Sequence, residues 1–140
     1  MPNFNSELGR AARKLLDSQS VIWLTTVDSG LTPQPRPVWF VPDGDHMLIY
    51  SQPVAAKVAH IRRHAQVALH FNSDQWGSEE TLLVLTGAAS LDEETRPANL
   101  VAAYVEKYGS GMAELGMTPE QFAARYSQPI HVTIDRMRGA

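Results

Sequence analysis

Cysteine is absent from the 140 residues. That absence excludes a disulfide scaffold, a thiolate zinc site, an iron–sulfur cluster and a cysteine nucleophile. Charge is sparse: 12 Lys and Arg against 15 Asp and Glu give a net charge of -3, and only 19% of residues are charged. A slightly acidic chain argues against a general nucleic-acid binder, whose surface is basic. No apolar run approaches the roughly 18 residues that a membrane-spanning helix needs. The N-terminus, Met1-Pro-Asn-Phe-Asn-Ser-Glu7, has no basic patch leading into an apolar stretch, which predicts a cytoplasmic protein without a signal peptide. Neither Gly-x-Gly-x-x-Gly nor a P-loop occurs, and no Gly-x-Ser-x-Gly elbow supports a serine nucleophile. What the chain does have is 44% apolar residues, enough for one hydrophobic core, so residues 1–140 are expected to form a single domain.

Periodicity places the elements. Leu8, Ala11, Ala12, Leu15 and Leu16 recur at helical spacing behind Ser6, a candidate cap. Val21–Val27 is β-branched and aromatic and reads as a strand. Pro33-Gln-Pro-Arg-Pro37 cannot be helical and should lead into a second strand, Val38–Val41. Asp43-Gly44 is a hairpin turn signal, so Met47–Tyr50 should be the third strand of an antiparallel meander. A helix is expected over Val54–Ala65, then strands at Val67–Phe71 and Leu82–Thr86. The near-continuous apolarity of Leu82–Leu85 suggests burial on both sides, and Gly87 allows a bend before Ala88–Leu91. Thr95–Tyr108 carries a stripe of Leu100, Val101, Tyr104, Val105 and Tyr108, with Gly109 as C-cap and a loop at Gly109–Met112. Thr118-Pro-Glu-Gln121 opens a short helix to about Tyr126, and Gln128–Ile134 is the closing strand. The expected fold is mainly β, a six-stranded antiparallel split barrel with peripheral helices.

Four constellations could carry chemistry. Arg36 starts the second strand and Lys57 sits in the first turn of the following helix, with Arg62 and Arg63 beyond. Two cations beside helix N-terminal amides would suit a phosphate, and the Ser51 hydroxyl would add a donor; the alternative is a solvated basic helix face. His60 and His64 stand at zinc-binding spacing, but no third ligand completes a site, so surface histidines are expected and no metal. The glycines at 109, 111 and 116 read as loop formers. Trp23 is expected in the core, whereas Trp39, Tyr50 and Trp76 could flank a flat ring beside a phosphate site.

The ordered set Arg36-Pro-Val-Trp-Phe40, Leu48-Ile-Tyr-Ser51, Ala56-Lys57 and Ile61–Phe71 resembles the pyridoxamine 5'-phosphate oxidase-like, FMN-binding split-barrel superfamily. Within it the chain is similar to the flavin/deazaflavin oxidoreductases labelled coenzyme F-420-dependent. The resemblance implies a homodimer with two cofactors at the subunit interface and a small-molecule substrate, with no nucleic-acid or membrane partner. It implies that Arg36 and Lys57 hold the cofactor phosphate, that the backbone from Pro37 to Val38 and Trp39 runs along the ring, and that Tyr50 and Ser51 contact the phosphoribityl chain. Ala56 stands where FMN oxidases commonly carry a second basic residue, so Arg62 or Arg63 would supply the missing charge. The implied activity is hydride transfer from reduced coenzyme F-420 to an electron-poor organic substrate, with FMN as the alternative cofactor. A non-catalytic flavin-, deazaflavin- or haem-binding module is a further alternative. No catalytic residue is assigned.

Overall fold

In the computed structural model, which describes residues 2–73, 76 and 82–139, helix α1 (Glu7–Ser18) is capped by the Ser6 hydroxyl, which accepts from the Gly9 amide at 2.9 Å. Strand β1 (Ile22–Val27) follows, then β2 (Pro33–Val38), β3 (Val41–Asp43), β4 (His46–Ser51), helix α2 (Ala56–Arg63), β5 (Gln66–His70) and β6 (Val84–Ser90). A 3-10 turn at Ala98–Leu100 introduces α3 (Ala102–Glu114), α4 (Pro119–Arg125) and the closing strand β7 (Gln128–Arg138). Every strand pairing is antiparallel, in the order β2-β1-β5-β6-β7-β4-β3.

The expected mainly β, antiparallel barrel with peripheral helices is the architecture found. It counts seven strands rather than six because the segment read as one strand, Val38–Val41, breaks at Trp39 and Phe40. The two halves lie at opposite ends of the sheet: β2 pairs with β1 and β3 with β4. The curled sheet is therefore closed by two residues of covalent chain and not by a ladder.

The proline-rich segment is itself β2, where a mere lead-in was expected. Pro33, Pro35 and Pro37 share one parity and lie opposite Val27, Thr25 and Trp23. Their missing donors therefore all fall on the side turned away from β1, while Gln34, Arg36 and Val38 keep theirs; an edge strand tolerates that arrangement.

Side-chain alternation divides the core in two. Ile22, Leu24, Met47, Ile49, Leu69, Leu85, Ile130 and Val132 point into the barrel together with Ala12 and Leu16 of α1 and Ile61 of α2. Leu48 and Tyr50 of β4 point outward and are covered by Tyr104, Tyr108 and Met112 of α3 and Phe122 and Ala123 of α4. That double coverage explains why β4 is buried at five successive positions. By the same alternation Leu82 and Val84 are exposed while Leu83 and Leu85 are buried, so the two-sided burial expected there does not occur. Trp23, expected in the core, has the outward parity of β1; it stacks on His70 and donates to Asn72 at 2.9 Å.

Helix α3 begins later and runs further than the sequence suggested. The segment Gly109–Met112 is helical, since Met112 continues the Tyr104–Tyr108 stripe and is fully buried. The true stop is Gly116, at φ +74°. Its amide donates to Ala113 and the Met117 amide to Met112, at 2.9 and 3.0 Å, the two bonds of a Schellman cap. Helix α4 carries the expected capping box between Thr118 and Gln121. Among the described residues no helix is long and apolar enough to cross a membrane.

Candidate functional site

A cavity of about 400 Å³ opens where the β2–β3 break, the end of β4, the start of α2 and the α3–α4 pair converge. Ligand sites start at about 300 Å³. Its floor is Pro37, Val38 and Trp39 on one side and Tyr50 and Ser51 on the other, with Lys57 at the α2 end. Tyr104, Leu115, Phe122 and Tyr126 from the α3–α4 side, and Val21, complete the lining.

Trp39 is fixed in place by its neighbours. Its indole stacks on Tyr108 at 4.5 Å and 5°, and on Phe122 at 5.4 Å and 16°. Gly111 makes that packing possible: a Cβ there would lie 3.1 Å from the indole edge. Phe40, the second residue of the break, is anchored from α3. Its amide donates to the Tyr108 hydroxyl and its carbonyl accepts from Lys107 Nζ at 2.9 Å. The Tyr108 hydroxyl also lies 2.8 Å from the carbonyls of Ser20 and Phe40 and donates to one at a time.

The cationic end is built by two elements. Lys57 is the second residue of α2, whose N-cap, Ala55, offers no side-chain acceptor to the first-turn amides. Burial, and then the nearby Arg36 guanidinium, hold the Lys57 ammonium below the usual lysine range. Among the described residues neither cation is ion-paired; Arg36 donates only to the neighbouring Pro35 carbonyl, at 2.9 Å. Two like charges held together without a carboxylate, beside open helix N-terminal amides, form a site that an anion would relieve.

The phenols have a different character. Burial pushes Tyr50 up to about 12, and Tyr104 is pushed higher, first by burial and then by the neighbouring tyrosines. Both are hydrogen-bond donors at neutral pH, not proton-transfer acids. Tyr50 donates to the Arg96 carbonyl. Tyr104 is fully buried and its hydroxyl has no hydrogen-bond partner among the described residues, a state that costs roughly 1–3 kcal/mol. Among the described residues no carboxylate or imidazole lines the cavity.

Of the residues expected at the site, Pro37, Val38, Trp39, Tyr50, Ser51 and Lys57 line this cavity; Arg36 is exposed and off its lining, though its charge reaches Lys57. Ala56 and Arg62 are on α2 but exposed and off the wall; Trp76 is 85% exposed and also off it. Arg63 is likewise exposed. His60 bonds Thr26 at 2.8 Å instead of standing free, and among the described residues no group of three His, Asp or Glu is placed for a metal. Sequence reasoning missed the α3–α4 side. The Tyr104 stripe signalled a buried helix face but not that the face would also border a cavity, and Phe122 and Tyr126 carried no signal beyond their helix.

The sequence profile of a family described as pyridoxamine 5'-phosphate oxidase matches residues 8–139. No curated protein matches the chain in sequence. Among solved structures, a candidate pyridoxamine 5'-phosphate oxidase from Listeria innocua superposes with a TM-score of 0.69 at 22% identity, covering 95% of this chain and 98% of that one. A protein described as an F-420 reductase gives 0.64 at 21% identity, with 90% and 94% coverage. A haem storage protein from Vibrio cholerae gives 0.64 at 12% identity, with 96% and 95% coverage. At these identities the likeness is one of fold.

Proposed function

We propose, from the premise that the chain belongs to the pyridoxamine 5'-phosphate oxidase family, that the cavity binds a phosphate-bearing flavin or deazaflavin and that the protein is an oxidoreductase. Coenzyme F-420 is the favoured cofactor, with FMN as the alternative, and a small electron-poor organic molecule is the substrate. The observation that carries this reading is Lys57, a half-buried cation without an ion-pair partner among the described residues and within reach of the Arg36 charge, in a cavity lined also by Trp39, Tyr50, Tyr104, Phe122 and Tyr126. The residues suit such a ligand: the ammonium, the guanidinium and the open α2 amides match an anionic tail, and the Trp39 wall matches a flat ring.

A ring of this kind, when bound, supplies the hydride chemistry. The protein's tasks are then to anchor the tail through Lys57 and Arg36, to place the ring along Val38 and Trp39, and to keep water out. That division fits a cavity that no carboxylate or imidazole among the described residues lines. Similarity to an F-420 reductase supports the choice of deazaflavin.

Parallel fluorescence titrations with F-420 and FMN test the reading. A charge-assisted contact is worth roughly 1.5–3 kcal/mol, so Lys57→Ala should weaken the bound cofactor by about 10- to 150-fold. Failure of both compounds to bind, or identical affinity in the variant, would overturn it.

A further inference from the structure

We propose that the Lys57 amine captures aromatic aldehydes reversibly as an imine, so that the cavity is a carbonyl-binding site as well as an anion-binding one. This activity goes beyond the function proposed above and does not depend on it.

The chain has lysines at 14, 57 and 107, and of these Lys57 alone lines the cavity. Two conditions set a nucleophilic lysine apart from a surface one. Its nitrogen must be free to attack, and Lys57 has neither a hydrogen-bond nor an ion-pair partner among the described residues. Its proton must also leave without great cost. Burial, and then the Arg36 guanidinium, hold the Lys57 ammonium below the usual lysine range. A desolvated amine beside a second cation is the setting in which lysine attacks carbonyl compounds.

Lys107 is the telling comparison. Its ammonium is brought down to about 8, so ease of deprotonation alone would favour it. Its nitrogen, however, donates to the Phe40 carbonyl at 2.9 Å, lies 3.7 Å from the centre of the Phe40 ring and is off the cavity lining. Lys14 is exposed and off the lining too. Lys57 is the amine that combines a free nitrogen with a space for the second reactant. Trp39 and Tyr126, both partly exposed, share that lining, which gives an aromatic ring apolar surface to lie on. The Arg36 charge favours a ring that also carries an anionic group.

The step balances without a further reactant. Once its proton has passed to water, the Lys57 nitrogen adds its lone pair to the carbonyl carbon, and the C=O pair moves to oxygen. The carbinolamine takes protons from solvent and expels that oxygen as water. One amine and one aldehyde give one imine and one water, with no change of oxidation state, and hydrolysis returns both.

The test is to incubate wild-type protein with 4-carboxybenzaldehyde and cyanoborohydride at about pH 8, which fixes the imine as a secondary amine, and to locate the adduct by peptide mass mapping. Lys57 should be labelled about 10-fold or more faster than Lys14 and Lys107, a modest share of what holding two reactants together provides. Lys57→Gln should reduce total labelling to the level of the other amines. Labelling spread evenly over the three lysines, or led by Lys107, would overturn the inference, as would total labelling that Lys57→Gln leaves unchanged. Saturating F-420 or FMN should slow labelling at Lys57. A cofactor that binds without slowing it would overturn the anchoring role proposed above and leave this inference standing.

Discussion

Lys107 and Lys57 are both half-buried amines near the β2–β3 break, yet their surroundings assign them different work. Lys107 has a carbonyl under it, the Phe40 ring 3.7 Å away and the charge of Asp17 in range. Burial still dominates and brings its ammonium down to about 8. Between about 8 and the ordinary 10.5, the unfolded chain therefore holds a proton that the folded chain has released. Stability rises with pH across that window, and below it the folded protein carries the full burden of a buried charge. Lys107→Met should flatten this part of the profile, seen as a smaller gain in urea midpoint between pH 7.5 and 10 than wild type shows. Single residues were unevenly legible in the sequence. Arg36 and Lys57 could be singled out because unlike elements brought two cations toward one anion-binding helix end. Lys107 and Tyr104 could not, because their significance lies in what packs over them, which spacing does not encode.

Among the elements, β6 depends most on one small residue. At Gly87 the register with β7 shifts, and a Cβ there would lie 2.1 Å from the Thr133 carbonyl oxygen. The obstacle is backbone in the middle of a seven-stranded sheet, which cannot step aside as a side-chain tip would. Gly87→Ala should cost about 3 kcal/mol or more by overpacking, measurable as a lowered denaturant midpoint with an unchanged slope. The bend at this glycine was legible because Gly is weak within strands and common at bulges. The limits of α3 were not. Gly109 looked like a stop, but a glycine inside a helix costs only about 1 kcal/mol, which burial of Met112 and the close seat of Trp39 against Gly111 offset. The dislike of proline for regular structure argues against a strand at Pro33, Pro35 and Pro37, but their shared parity is what an edge strand permits.

On the scale of the whole molecule, the barrel class was legible because alternation and hairpin turns are local signals. Its closure was not, since it depends on β2 and β3 parting at Trp39 and Phe40 toward opposite sheet edges. The homodimer that the family resemblance implies belongs to this scale too, and we propose it here. Leu115 lines the cavity at 55% exposure; a second copy over this mouth would bury it. Light scattering after size exclusion should then give twice the 15.5 kDa chain mass, and a mass of one chain would contradict it. The break carries one more consequence. Where the cylinder shuts, no ladder resists its breathing; a phenol and an ammonium from α3 clasp Phe40, and the adjoining Trp39 faces the cavity. A guest pressed against that indole would stiffen the seam itself, so filling the cavity and fastening the cylinder would be a single event.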